Sequence, residues 1–408
     1  MALLIRNLAQ IATPTGRTGV RGAAMRELTI HADAVIVVRD DRIAYIGPER
    51  GSRIAITEEY DAGGATAIPG FVDSHTHLPW AGYRESEFNR RLQGETYEQI
   101  AASGGGIAST VRATRAASEK QLIENVLGRA ETMSRHGTTT AEAKSGYGLN
   151  LEDELKQLRA IEKANETSPV RLIPTCLAAH DFPPERRDPS YVDTIVNEIL
   201  PAVAEKKLAR FCDAFVERGA FTAEQADRVL RAAIALRLPP RLHADEFSDG
   251  GGAALAVELR AASADHLMQV SERGIKALAK SDTVANLLPA TSFFLMSQRY
   301  APARALIDAG AIVALSTDCN PGSSMTESMS AVMQLATLQM KMTVEESLTA
   351  ATLNGAHSLL MADEIGSIEV GKRADIVFLD APNYLHLVYH FGVNLVRAVM
   401  RDGEIVVV

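Results

Sequence analysis

The segment RLHADEFSDGGGAALAVELRAASADHL, Arg241–Leu267, decides the fold. A short β run carrying His243 and Glu246 leads into GGAALAVELR, whose apolar residues recur at helical spacing. A second short run, SADHL, then closes on Asp265 and His266. Strand, helix and strand in so short a stretch form a crossover unit, and its two strands run parallel. The same unit repeats upstream. GFVDSH (70–75) precedes a helical region over 96–137, and TTTAEAKS (138–145) precedes LEDELKQLRAIEKANE. VRLIPTCLAA (170–179) precedes PSYVDTIVNEILPAVAEK, and FCDAFVE (211–217) precedes TAEQADRVLRAAIALR. Downstream, SADHL leads to SERGIKALAK, TVANLLPA (283–290) to APARALIDAG, and IVALSTD (312–318) to SMSAVMQLATLQM. Eight β runs, each followed by a helix, predict an α/β fold, a (β/α)8 TIM barrel, in preference to a doubly wound sheet.

The ends have a different pattern. ADAVIVVRDDRIAYIGP (32–48) reads as a hairpin, and AVMRDGEIVVV (398–408) as another, turning at Asp402-Gly403. With GKRADIVFLD (371–380) they predict a small β-sandwich domain built from both termini. The expected boundaries are 1–66 and 366–408 for its two parts and 67–365 for the barrel.

With 408 residues, 46% hydrophobic and 23% charged, the chain supports a sizeable core. A net charge of -9 argues against nucleic acid and anionic membranes as partners, while leaving room for a local cationic pocket. No apolar stretch reaches the length of a bilayer span, and no secretory leader is read at the start. Three widely spaced cysteines, Cys176, Cys212 and Cys319, form neither a disulfide framework nor a cysteine-rich zinc site. The expected location is the cytoplasm.

In a (β/α)8 barrel the chemistry sits at the C-terminal ends of the strands, and the polar residues here gather there. Asp73, His75 and His77 share a face if the first strand persists. His-x-His alone also suits paired surface or loop histidines. His243 and Asp318, at the ends of the fifth and eighth strands, turn the pair into a set of three imidazoles and one carboxylate. That set suits Zn²⁺ or Fe²⁺ with a position left for water. A metal-activated water needs proton acceptors. Asp318 is a candidate ligand and acceptor, Glu246 a candidate shuttle to a leaving nitrogen, and His266 a candidate partner of the attacking oxygen or the oxyanion. The structural alternatives are a helix N-terminal charge for Glu246 and a satisfied core histidine for His266.

IPGFVDSHTH (68–77), HADE (243–246), ADH (264–266), STD (316–318) and GSIEVGKRADIVFLD (366–380) come in an order that resembles the amidohydrolase superfamily over essentially the whole chain. The resemblance implies hydrolysis at a carbon–nitrogen bond with a metal-activated water. SHTHLPWAGYR (74–84), AEAKSGYGL (141–149), HADEF (243–247) and STDCNPGS (316–323) are similar to the branch that opens an imidazolone ring in histidine degradation. That likeness implies conversion of 4-imidazolone-5-propanoate to N-formimino-L-glutamate. It places the metal ligands on His75, His77, His243 and Asp318, and the catalytic positions on Glu246, His266 and Asp318. Substrate contacts fall on Arg84, Tyr97, Tyr147, His180, Asn320, Gly322 and Ser323. It also implies one divalent or trivalent ion per chain, zinc or iron, a small substrate with a carboxylate tail, and a homodimer.

The residue types agree. Arg84 suits bidentate capture of a carboxylate, a role preferred here to the alternative of a surface ion pair in an acidic chain. Two-metal relatives carry a bridging carboxylated lysine on the fourth strand. FCDAFVE contains none, so one metal is expected, with Glu217 as a residual bridging candidate. Lys144 is expected to make a supporting ion pair. SGGGIAST (103–110) lacks the ending of a phosphate loop and reads as a loop or helix break. A deaminase of a nucleobase or other heterocycle is the competing function, because His243 and Glu246 serve that chemistry too. A non-catalytic barrel is the third reading, and the intact ligand set argues against it.

Overall fold

The computed structural model describes residues 2–95, 99–100, 103–185 and 187–407. Seven strands precede the barrel: β1 (Ala2–Arg6), β2 (Gln10–Thr13), β3 (Thr29–His31), β4 (Val35–Arg39), β5 (Arg42–Gly47), β6 (Glu58–Asp61) and β7 (Thr66–Pro69). The barrel strands are β8 (Phe71–Asp73), β9 (Thr138–Lys144), β10 (Arg171–Ala179), β11 (Phe211–Val216), β12 (Pro240–Ala244), β13 (Ser263–His266), β14 (Val284–Leu287) and β15 (Val313–Leu315). Three more follow it: β16 (Ile376–Leu379), β17 (Val396–Arg401) and β18 (Glu404–Val407).

The terminal strands form two sheets, one in the order β5-β4-β1-β6 and one in the order β18-β17-β16-β7-β2-β3. The second joins the two ends of the chain, since β7 pairs antiparallel with β16. Both hairpins turn through left-handed backbone, at Asp40 (φ 56°) in one and at Asp402 and Gly403 (φ 51° and 83°) in the other. Strand alternation gives each face of the six-stranded sheet its own work. Ile376, Phe378, Ala398 and Met400 pack into the core between the sheets with Ile5, Ile36 and Ile43. Val377, Leu379 and Val399 join the barrel core instead. Arg171, at the start of β10, fastens the two parts by reaching Asp375 (2.8 Å) and Asp402 (2.6 Å).

The barrel strands lie side by side in chain order, and the ladders are parallel. Side chains of β9 and β12 are buried throughout, as expected where helices cover one face and the barrel interior the other. Closure between first and last strands occurs one layer above the ladders. The Asp318 N–H donates to His75 O (3.0 Å) and the His77 N–H to Cys319 O (3.0 Å). The segments that seal the barrel are therefore those that carry the candidate ligands.

In the helical region expected over 96–137, the described residues include the helices Ile107–Ala116 and Glu119–Arg135. The break has a local cause: Ser118 caps the second helix in a capping box with Gln121. SGGGIAST spans a helix start, with Gly106 (φ 73°) as the cap of Ile107–Ala116. The helix expected over 189–206 contains a π-helical turn at Ile195–Ile199, just before Pro201. Pro201 has no N–H to donate, which removes a regular α-helical bond at that point.

Candidate active site

The first strand ends at Asp73, short of the two histidines. Asp73 does not join them: its carboxylate accepts from the Thr317 N–H (3.1 Å) and hydroxyl (2.5 Å) and ties β8 to β15. This corrects the expectation of one continuous strand face from Asp73 to His77. His75 and His77 still converge, because the closing hydrogen bonds to 318–319 hold their backbone. Nε2 of each lies 3.4 Å from Asp318 Oδ1. His243, in β12, brings its Nε2 to 3.4 Å from His77 Nε2. An ion about 2.0–2.1 Å from its nitrogen and oxygen ligands spaces neighbouring ligands roughly 3.3 Å apart in tetrahedral geometry. The observed spacings fit that requirement. His75 Nε2 is also buried without a hydrogen bond among the described residues, as an atom reserved for a metal would be.

The donor cluster extends beyond these four. His75, His243 and His266 bring nitrogens within 4.8 Å of one another, as do His77, His180 and His243. The His180 ring stacks on His77 at 5.1 Å, and its Nδ1 is 3.0 Å from Gly146 O. Tyr147 lies against both rings, 5.9 Å from His77 and 5.2 Å from His180. His266 and Asp318 adopt left-handed backbone (φ 77° and 55°), which costs roughly 1–3 kcal/mol for a residue with a side chain and clusters at functional sites.

Below the ligands lies a layer of buried charge that the sequence reading mostly missed. His75 Nδ1 is 2.8 Å from Asp265 Oδ2, and His243 Nδ1 is 3.1 Å from Asp213 Oδ1. Lys144 Nζ sits 2.7 Å from Asp213, 2.7 Å from Glu142 and 4.0 Å from Asp265. Arg241 reaches Glu142 (3.2 Å) and Asp265 (3.7 Å). All these charged side chains are fully buried. Carboxylates on the Nδ1 side fix both ring orientations and leave Nε2 of each facing the cluster, as the outer partners of metal-binding histidines do. Of this layer only the ion pair of Lys144 was anticipated. The available signal was a charge inside a strand buried on both faces, Glu142 in TTTAEAKS and Arg241 in RLHADEF, since such a charge requires a partner.

Electrostatics separate the acids. Burial opposes ionisation of Asp318, but the imidazoles of His75 and His77 close beside it outweigh burial and hold the carboxyl well below its usual range. Glu246 has no such partners. Burial, reinforced by the nearby charges of Asp318 and Glu217, raises it well above the usual range. Its Oε1 is 3.6 Å from His266 Nδ1, a nitrogen with no hydrogen bond among the described residues. Burial lowers His266 well below the usual imidazole range and favours its neutral form. A carboxyl biased toward its protonated form beside an imidazole biased toward neutrality is an arrangement suited to moving protons.

The remaining described substrate candidates lie on, or against, the turn that follows Asp318. Arg84 lies against Gly322, where an added Cβ would stand 2.2 Å from Arg84 Nη1. The Asn320 amide is engaged inside its own turn: Oδ1 accepts from the N–H groups of Gly322 (2.8 Å) and Ser323 (2.9 Å), and Nδ2 donates to Asp318 O (2.7 Å) and Ser323 Oγ (2.9 Å). Asn320 thus shapes the turn that carries Asp318. Glu217 faces the 247–248 backbone, its Oε2 accepting from Phe247 N (2.8 Å) and Ser248 N (3.1 Å). Tyr97 lies outside the described residues.

Comparison with known proteins agrees with this geometry. The amidohydrolase family profile matches residues 66–406. The imidazolonepropionase of a Geobacillus species is 48% identical over 99% of this chain and 98% of its own. That of Porphyromonas gingivalis is 48% identical over 100% and 97%. The chain belongs to the imidazolonepropionase family of amidohydrolases. The whole-chain match also covers both terminal sheet segments, so the family likeness is not confined to the barrel. Solved amidohydrolases share the fold at much lower identity. A triazine hydrolase variant superposes with TM-score 0.78 at 18% identity, covering 100% of this chain and 94% of its own. A zinc-bound adenosine deaminase from Xanthomonas campestris gives 0.73 at 20%, covering 100% and 93%.

Proposed function

We propose that the protein hydrolyses the cyclic amide bond of 4-imidazolone-5-propanoate to give N-formimino-L-glutamate, a step of histidine degradation. The observation that carries the reading is the meeting of His75, His77, His243 and Asp318 beside Glu246 and Arg84, in a chain 48% identical to named imidazolonepropionases. A divalent ion in the His/Asp cluster supplies the lowered water pKa that makes a nucleophile available near neutral pH. We assign the ligand positions to His75, His77, His243 and Asp318. A single ion, zinc or iron, is supported by the lack of a lysine on β11 and by the engagement of Glu217 with the 247–248 backbone.

The chain's own groups divide the remaining work. Water adds to the ring carbonyl, the carbon–nitrogen bond breaks, and the ring nitrogen takes a proton. Asp318, held ionised, accepts the proton that water gives up. Glu246, held protonated, donates to the departing nitrogen. His266 directs its neutral ring at the carbonyl oxygen as charge develops there. Arg84 receives the propanoate tail, with Tyr97, Tyr147, His180 and the 320–323 turn around the ring and tail. Three free, buried cysteines support a reducing, cytoplasmic setting. Operation as a homodimer is part of the same proposal and follows the family likeness.

Adenine or cytosine deamination is not favoured, since neither ring carries a carboxylate for Arg84. Absorbance decay of freshly prepared imidazolonepropanoate with the metal-loaded protein tests the reading. Loss well above the spontaneous rate, with formiminoglutamate as product, is expected. Ammonia release from a nucleobase panel, with no loss of the imidazolone, would overturn it.

A further inference from the structure

The placement of Arg84 depends on a residue that no sequence motif singled out. Arg84 caps the helix Glu85–Leu92, and Glu87 lies in the first turn of that helix. The Glu87 side chain is only 12% exposed. Its Oε2 accepts from Arg84 Nε at 2.8 Å. The Gly106 N–H lies 3.2 Å from both carboxylate oxygens, and the Ser109 hydroxyl donates to Oε1 at 3.1 Å. One carboxylate thus gathers the guanidinium and the start of the helix Ile107–Ala116.

The opposite side of the guanidinium is closed by Gly322, whose Cβ, if present, would lie 2.2 Å from Nη1 and 3.0 Å from Cζ. Arg91, one turn beyond Glu87, donates from Nη2 to Gly322 O at 3.2 Å and fastens the same turn to the same helix. Arg84 is therefore gripped through Nε on one side and flanked by bare backbone on the other. A guanidinium held by Nε still presents its Nη1/Nη2 edge, the pair of parallel donors that matches a carboxylate.

We propose that Glu87 is the positioning residue of the carboxylate clamp. It fixes Arg84 so that the Nη edge meets the substrate's tail, and it anchors the clamp to the glycine-rich junction at 103–106. The inference rests on the assignment of Arg84 to the tail. Its charge makes it testable in an unusual way. Glu87 is an anion close to the seat of another anion. If it acted only through charge, its neutralisation would strengthen binding of the tail. If it acts by position, neutralisation weakens binding.

The experiment compares Glu87→Gln, Gly322→Ala and Arg84→Ala with the parent metal-loaded enzyme. The readouts are steady-state turnover and inhibition by imidazole-4-propanoate and by imidazole, which lacks the tail. For Glu87→Gln, KM and the inhibition constant of the tailed ligand are expected to rise roughly tenfold, the size of one charge-assisted hydrogen bond. The constant for imidazole and kcat should move less than about threefold, a split that general loss of structure would not give. Gly322→Ala, which displaces the guanidinium from the other side, should show the same selectivity. An unchanged or tighter constant for the tailed ligand in Glu87→Gln, with Arg84→Ala still selective for the tail, overturns the role of Glu87 alone. Absence of tail selectivity in Arg84→Ala overturns the tail assignment and the inference with it.

Discussion

At the scale of single residues, two of the three imidazoles proposed as metal ligands have a carboxylate behind them. Asp265 holds His75 and Asp213 holds His243, and Lys144 and Arg241 keep both acids ionised in the interior. Asp265→Asn keeps the shape but removes the charge that fixes the ring. It is expected to weaken zinc binding about 10–100-fold, as loss of such an outer partner generally does. Competition with a chromophoric chelator measures this directly, and unchanged affinity would show that Asp265 serves only the folding of the barrel. That His75, His77, His243 and Asp318 come together was legible in the sequence, because each lies on or just past a β run of one barrel. Their supports were not. Asp213, Glu142 and Arg241 are ordinary charged residues whose partners lie tens or hundreds of positions away, and only the closed barrel brings them together.

At the scale of elements, the helix Val344–Ala351 shows how a local motif becomes a tertiary joint. Thr343 and Glu346 form a capping box at its start. The Glu346 side chain is buried and also accepts from Arg304 (2.9 Å) and Arg26 (2.9 Å). These hydrogen bonds outweigh burial and lower its pKa below the ordinary 4.5. The unfolded carboxyl therefore takes up its proton before the folded one does, and stability falls as pH drops from 4.5 through the folded pKa. Glu346→Gln is expected to cost about 1–3 kcal/mol at neutral pH, with the gap from the parent shrinking below pH 4.5. Chemical denaturation at pH 7 and in acid checks both halves. A gap that persists in acid would assign the loss to packing. Most elements followed from periodicity and turn residues, including both terminal hairpins. The interruptions did not: the break at Ala117 and the π-turn before Pro201 come from a cap and a missing donor.

At the scale of the molecule, one sheet built from both ends of the chain lies on the barrel, and the barrel closes through the segments that bear its ligands. The expectation of terminal β structure around a (β/α)8 centre rested on matching styles at the two ends, and the pairing of β7 with β16 is what that similarity signalled. The closure above the ladders was not legible, because His75, His77, Asp318 and Cys319 meet by backbone hydrogen bonds that no side-chain pattern announces. Fold, candidate ligands and closure thus converge on the same His/Asp cluster, and the most direct measurement is a metal titration. Protein stripped with a chelator is reloaded with zinc or iron while bound metal and hydrolysis of imidazolonepropanoate are followed together. Activity should be absent at the start and rise in proportion to bound metal, with a plateau at one equivalent per chain, and His243→Ala should neither bind nor recover. Full hydrolysis by the stripped protein, or by His243→Ala, would contradict a metal-assisted mechanism at this site.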